Sequence, residues 1–185
     1  LNVIPRYEEN RALLNARKGE FLVRTPHKED GGIEWEDRVV RVPPPAPLLI
    51  EGAVDDMTRK RLEGLPGSGQ KLEIDVFMLP DACREGKARP FYPYCLLVVE
   101  SRMGSVLYHD MLPPVPSLED MWHSTPAKIA DHFAKTGSIP AEVRVSSGLL
   151  LDLLKPLSLT SGFKLKRVPV LRFLGPARAQ LMEFM

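Results

Sequence analysis

The sequence predicts a mixed α/β fold in which three meandering strands precede alternating helices and strands. Three apolar runs of strand length fall between residues 73 and 111, and hydrophobic residues at helical spacing follow capping residues from Ser117 onward. Proline and glycine separate these segments. A meander followed by α and β units that alternate builds a mixed sheet with helices against it. The 185 residues have room for one such domain, residues 71–185, and an N-terminal α/β appendage, residues 1–70.

The composition indicates a globular chain and excludes several functional classes. Hydrophobic residues make up 44% and charged residues 26%, and the net charge is +1, which excludes a basic nucleic-acid wrapper and an acidic tail. Residues 1–72 carry 12 basic and 12 acidic groups, residues 73–139 carry 6 and 9, and residues 140–185 carry 7 and 3. The C-terminal part is therefore +4, which we interpret as a solvated face. The 18 prolines are about twice the usual share of roughly 5% and mostly punctuate the predicted elements.

The chain carries no apolar run long enough for a membrane span and no signal peptide at its start. Its two cysteines, Cys83 and Cys95, have no CxxC spacing. We therefore expect a cytoplasmic protein with reduced thiols and no membrane association.

The appendage contains four predicted segments and a proline-rich connector. We expect a helix over residues 6–18, strands over 20–24 and 35–42, the connector at 43–47, and a short helix over 55–63. Gly64 and Gly69 have the spacing of a phosphate-binding loop, but Gln70 replaces the required lysine and a strand follows, so we reject that motif.

The predicted elements of the main domain follow in regular order. Strands are expected over residues 73–79, 94–100 and 105–111, then a short helix after Ser117, a second helix opening at Ser124-Thr125-Pro126, a strand over 141–145, a helix after Ser147 that Pro156 shortens or kinks, a strand over 163–170, and a last helix from Gly175-Pro176.

Two resemblances follow from these segments. The element order over residues 71–185 resembles the ribonuclease H-like fold of transposases, retroviral-type integrases and Holliday-junction resolvases. The segments EIDVFMLP, RPFYPYCLLVVESRMGSVL and LLKPLSLTSGFKLKRVPVL resemble an uncharacterised bacterial domain family, a domain of unknown function. The second resemblance implies no activity.

The ribonuclease H-like resemblance implies a site where three or four carboxylates hold two Mg²⁺ or Mn²⁺ ions. Asp75, a charged residue in an apolar strand, matches the first ligand, and Glu183 is the only acid available for the last. Glu119 or Asp120 is a candidate extra carboxylate. Ser146 and Ser147 stand where a second acid is expected, so the carboxylate set is incomplete.

The competing interpretation is an interaction or regulatory module without catalysis and without a cofactor. In that case Asp75 pairs with a neighbour such as Lys71 or Arg102. A protein partner or neighbouring domain is expected, a nucleic acid is an alternative partner, and the oligomeric state stays open. The candidate contact surface combines an aromatic-basic loop with the basic C-terminal part, and consists of Arg89, Phe91, Tyr92, Tyr94, Lys164, Lys166 and Arg167.

No other chemistry is supported by spacing. His109, His123 and His132 lack a zinc-binding pattern, and Ser146 and Ser147 lack the Gly-x-Ser-x-Gly elbow of a hydrolase. We prefer the module to the metal-dependent nuclease, and we expect the fold without the enzyme.

Overall fold

The structure is a computed structural model that describes residues 17–29, 31–43, 50, 54–84, 86 and 89–183. The chain forms two compact units, Leu1–Leu48 and Leu49–Met185. The predicted helix over residues 6–18 falls almost wholly outside the described residues, as does most of the connector at 43–47.

The first unit contains an antiparallel hairpin of β1 (Glu20–Glu29) and β2 (Gly32–Arg41). Both predicted strands are present, and both are longer than predicted. Gly31 adopts φ 136°, a conformation that favours glycine in a tight turn. The hairpin lengthens because the polar residues flanking this turn also pair, down to Glu29 opposite Gly32.

The second unit is built on a five-stranded mixed sheet. Its strands are β3 (Lys71–Met78), β4 (Tyr94–Glu100), β5 (Val106–Leu112), β6 (Glu142–Val145) and β7 (Lys164–Arg167), in the order β5-β4-β3-β6-β7. The three meander strands pair antiparallel, whereas β6 and β7 run parallel to β3. The prediction of a mixed α/β fold is thus confirmed.

Helices cover both faces of this sheet. The described residues contain α1 (Asp56–Leu62), α2 (Leu118–Thr136), α3 (Gly148–Ser161) and α4 (Leu174–Glu183). Side chains alternate across a strand, so Ile74 packs with Leu62, Phe133 and Leu154 on one face while Phe77 packs with Leu174 on the other. Each fully buried leucine contributes about 2 kcal/mol to this packing.

One helix replaces the two that we predict between residues 117 and 136. Ser117 is the N-cap, with its Oγ accepting from the backbone N–H of Asp120, but α2 continues through Pro126 to Gly137 at φ 70°. The hydroxyls of Ser124 and Thr125 both donate to the carbonyl of Met121, one turn before the proline. Pro126 has no N–H to donate to the carbonyl of Trp122, and α2 stays continuous because Trp122, Thr125 and Pro126 are buried in the core.

Helix α3 likewise runs through its proline. Ser147 caps it by accepting from the backbone N–H of Leu150, and the helix ends at Gly162, where φ is 78°. The predicted shortening at Pro156 does not occur, because the residues on both sides of the proline, Leu154 and Leu157, are fully buried in the core.

The boundary between the two units lies at Leu48–Leu49, earlier than the predicted residue 70. The reason is that Ile50, and Leu62 at the end of α1, are buried in the core of the second unit. No helix among the described residues has both the length and the apolar character needed to cross a membrane.

Candidate functional site

Three carboxylates lie on the sheet face that α4 covers. Residues 73, 75 and 77 of β3 share this face by alternation, and the parallel register aligns Lys71 with Glu142 and Glu73 with Arg144. Glu73, Asp75 and Glu142 therefore lie on the central strands beneath or beside the last helix. This is the region where the ribonuclease H-like resemblance leads us to expect metal ligands.

Glu73 is almost fully buried and acts as a cap for α4. Its Oε2 accepts hydrogen bonds from the backbone N–H groups of Phe173 and Leu174, both at 2.9 Å. The N-terminus of a helix has free N–H groups and a partial positive charge, so a carboxylate stabilises it. Glu73 is therefore committed to the fold.

Asp75 is half-buried on the same face. Burial raises the pKa of its carboxyl, while the backbone N–H of Val76 and the charge of Arg178 oppose the rise. Arg178 is on α4, and its guanidinium lies over the ring of Phe77, with Cζ 4.4 Å from the ring centroid. Among the described residues neither Lys71 nor Arg102 forms an ion pair with Asp75, and the cation whose charge acts on this carboxyl is Arg178 of α4.

Glu142 opens β6 and holds two cations. Its Oε2 lies 2.5 Å from Nζ of Lys166, and its Oε1 accepts from Nε of Arg144 at 2.7 Å. The hydrogen bond from Lys166 is the largest cause that lowers the pKa of Glu142 to about 2; burial opposes it and Arg144 adds to it. This carboxylate is charged and neutralised by side chains of its own sheet.

The other predicted acids lie apart from these three. Glu119 and Asp120 are exposed in the first turn of α2, where Asp120 also accepts from the Ser117 hydroxyl at 2.5 Å. Glu183 is exposed at the end of α4, and Ser147 is the N-cap of α3. Among the described residues, no three His, Cys, Asp or Glu side chains are grouped so that they could hold a metal ion.

The histidine and cysteine side chains serve packing where they are buried. The ring of His132 stacks on Tyr108 at 4.9 Å between centroids, and burial lowers the pKa of His132. Cys83 and Cys95 are free thiols. Burial raises the pKa of Cys95 to about 11, so this thiol is a poor nucleophile.

The aromatic-basic loop has a structural end and an exposed end. Tyr94 packs edge-to-face on Trp122 at 6.1 Å between ring centroids, and Phe91 exchanges two backbone hydrogen bonds with Cys83. Arg89 and Tyr92 are exposed. Of the four loop residues in the candidate contact surface, Arg89 and Tyr92 are therefore the two that are exposed to solvent.

The basic residues of β7 divide in the same way. Lys166 is tied to Glu142, and Nε of Arg167 donates to the carbonyl of Ser146 at 3.1 Å. Lys164 is exposed and has no ion pair within the described part of the chain. Lys164 therefore joins Arg89 and Tyr92 as an accessible contact residue.

Sequence reasoning missed Glu73, Glu142 and Arg178. Alternation along β3 places Glu73 on the face of Asp75, a signal that was available. Its hydrogen bonds with Phe173 and Leu174, 100 and 101 positions later in the chain, could not be inferred from the local sequence. Arg178 could be placed near Asp75 only once the position of α4 on the sheet was known.

No curated protein and no solved structure matches the chain. A family model does match, over residues 58–182, which includes most of α1, the whole five-stranded sheet and nearly all of α4. Its description is domain of unknown function (DUF6930), in agreement with the resemblance to an uncharacterised domain family. The chain belongs to the family of this domain.

Proposed function

We propose that the second unit is a non-catalytic α/β module that serves an interaction or regulatory role. The observation that carries the proposal is the use made of the three carboxylates under α4. Glu73 caps a helix, Glu142 holds Lys166 and Arg144, and Asp75 is half-buried near Arg178. Metal-dependent phosphoryl transfer needs carboxylates that converge with free oxygens. Glu73 and Glu142 have structural partners, so of these three carboxylates only Asp75 is left to take part in such a site.

The finer features that we propose are a ribonuclease H-like topology and a reducing, cytoplasmic setting in a bacterium. A central first strand, flanked by its meander on one side and by two parallel crossover strands on the other, supports the topology. The free thiols of Cys83 and Cys95 support the setting. We propose that the module acts without a cofactor.

The proposed contact surface of the module is formed by Arg89 and Tyr92; Lys164 lies at the other end of the sheet, level with the start of β3. Exposed tyrosine and arginine side chains are enriched where proteins bind one another. Cross-linking in cells of the source organism tests this surface. We expect the wild-type protein to form a cross-link to a partner protein, and we expect the double variant Arg89→Glu, Tyr92→Ala to lose that cross-link. The matched control is Lys60→Glu, at an exposed position of α1 that has no ion pair with any described residue.

A nuclease assay decides between the module and the alternative enzyme. Purified protein is incubated with single-stranded DNA, duplex DNA and RNA in 5–10 mM Mg²⁺ or Mn²⁺ (about the usual assay range). We expect no cleavage above that of Asp75→Asn. Cleavage by the wild type that Asp75→Asn abolishes would overturn the proposal and establish the metal-dependent enzyme.

Nucleic-acid binding without cleavage is tested separately. Phosphate contacts make affinity fall steeply with salt, by about one logarithmic unit per contact for each tenfold rise in salt. We expect no such salt-dependent binding, since the net charge of the chain is only +1. A steep fall of affinity with rising salt would instead identify a nucleic acid as the partner.

A further inference from the structure

A cleft opens at the end of the sheet where β3 begins. The aromatic-basic loop lies beyond the other end of β3. The cleft has a volume of about 470 Å³ and is lined by Gly69, Lys71, Glu100, Ser101, Arg102 and Arg144. The lining comes from the start of β3, the end of β4, the turn that follows it, and β6. A cleft of this size suits a small ligand.

The charge of this cleft is positive. Lys71 and Arg102 are exposed and have no ion pair with any described residue. Arg144 uses its Nε for Glu142, and no hydrogen bond of its terminal amino groups is found within the described residues. Three cations from three separate parts of the chain thus line one concave surface.

A single carboxylate, that of Glu100, also lines the cleft. Its Oε2 accepts a hydrogen bond from the backbone N–H of Met103 at 2.7 Å, which ties it to the turn. The cleft therefore retains a net positive charge. An anion that enters it meets more attraction than repulsion.

Ser101 adds a polar group that lacks a partner. Its backbone N–H donates to the carbonyl of Lys71 at 2.8 Å, which holds the residue at the cleft wall. Its Oγ is buried, and no hydrogen-bond partner for it is found among the described residues. Buried hydroxyls nearly always have a partner, and an ordered water or a ligand oxygen at the cleft wall would supply one.

We propose that this cleft, formed by Lys71, Ser101, Arg102 and Arg144, binds the phosphate group of a small phosphorylated ligand. The inference rests on the proposed function, because the ligand is bound as a signal and is not turned over. Arginine and lysine bind phosphate through charge-assisted hydrogen bonds, and the serine hydroxyl adds a neutral donor. No lining residue is aromatic, so the cleft lacks the stacking platform typical of single-stranded nucleic-acid sites.

The test is a titration of the full chain with inorganic phosphate, and with adenosine monophosphate as a phosphomonoester, at constant ionic strength. Nuclear magnetic resonance follows the backbone amides of Lys71, Ser101 and Arg102, and calorimetry gives the affinity. We expect saturable binding of phosphate with Kd of about 1 mM. Tighter binding of the nucleotide identifies the small-molecule source, and equal binding identifies free phosphate.

Variants assign the binding to the cleft. Arg102→Gln is expected to weaken phosphate binding about tenfold and Ser101→Ala about threefold. The matched control, Arg84→Gln, removes an exposed arginine outside the cleft and is expected to leave affinity unchanged. Unchanged thermal unfolding of Arg102→Gln shows that the fold is intact, and Ser101→Ala provides a second variant without a charge change.

Three results would overturn the inference. They are the absence of saturable binding, equal loss of affinity in Arg84→Gln and Arg102→Gln, or acetate and citrate binding as tightly as phosphate. None of these affects the nuclease assay, so failure of the phosphate site is distinguishable from failure of the proposed function. Conversely, turnover of the nucleotide would contradict the non-catalytic module while leaving the site in place.

Discussion

The Oε2 atom of Glu73 accepts a hydrogen bond from the backbone N–H of Leu174 at 2.9 Å, joining the central strand to the first residue of α4. Glu73 is almost fully buried, so this carboxylate and the helix start satisfy each other away from water. The contact fixes α4 over the face that carries Asp75. It explains why a charged side chain is retained in the middle of an apolar strand.

Replacing Glu73 with alanine is expected to lower the free energy of unfolding by about 2–3 kcal/mol. The change leaves the N–H groups of Phe173 and Leu174 without an acceptor. Glu73→Gln retains one acceptor oxygen and is expected to cost about 1 kcal/mol. Urea denaturation measures both, with exposed Glu119→Ala as the control, expected to change stability by less than about 0.5 kcal/mol. Equal stability of Glu73→Ala and wild type would show that the cap contributes nothing.

Asp75→Asn is expected to raise the free energy of unfolding at pH 7. Burial raises the folded-state pKa of this carboxyl above its ordinary value of 3.8. The ionised form therefore costs stability above the folded pKa, and the cost disappears when pH falls below 3.8. Urea denaturation of both proteins between about pH 3 and pH 7 measures this. The difference in their free energies of unfolding is expected to shrink towards the acid end of the range.

The control for Asp75 is Asp81→Asn, in an exposed residue shortly after β3. It is expected to follow the wild type at every pH. A loss of stability in Asp75→Asn at pH 7 would instead indicate that the attraction of Arg178 exceeds the cost of burial.

The ion pairs of Glu142 predict a loss of stability in acid. The pKa of Glu142 is lowered from 4.5 to about 2, so its contribution is complete above pH 4.5 and is lost as pH falls through 2. We expect this loss to be about 2 kcal/mol, since Lys166 is partly exposed and the pair is screened. Urea denaturation of wild type and Lys166→Gln between pH 2 and 6 measures it (about the range of the titration).

In this comparison Lys166→Gln is expected to be less stable than wild type at pH 6 and to show a flatter loss towards pH 2. Lys60→Gln removes the same charge at an exposed position of α1 and is the control. If Lys60→Gln flattens the acid dependence as much, general charge and not the pair with Glu142 is responsible.

The strands of the main domain follow from local patterns because their information is local. The continuous apolar run Tyr94–Glu100 becomes the second strand of the sheet with the predicted bounds. Ser117 and Ser147 cap helices as predicted, since a cap depends on residues within one turn. In these places a short stretch of sequence contains both partners of the interaction.

The errors occur where distant residues decide. The residues around Pro126 predict the start of a helix. However, Trp122 before the proline and Ile129 and Phe133 after it pack in one core, and these tertiary contacts keep α2 continuous. The effect of the Arg178 charge on Asp75 depends on where α4 lies, which no pattern near Asp75 encodes. The phosphate cleft brings together residues 71, 102 and 144, and only the strand order makes them neighbours.

His132 gives a final prediction, on stability below neutral pH. Its ring stacks on Tyr108 of β5, and burial followed by the nearby charge of Lys135 lowers its folded-state pKa below the ordinary 6.5. Asp110 of β5 and Asp131 of α2, the acidic groups near the stacked pair, are themselves paired with Lys128 and Arg61.

Because the unfolded chain takes up a proton at His132 more readily than the folded chain, stability is expected to fall as pH drops below 6.5. His132→Phe keeps a ring against Tyr108 and removes the titration. We expect it to match wild type within about 1 kcal/mol at pH 8 and to be the more stable protein at pH 5. Thermal unfolding across this range is the measurement, with exposed His123→Gln as the control. If His132→Phe retains the wild-type pH dependence, the loss belongs to another group, and the stacked histidine is protonated in the folded protein without penalty.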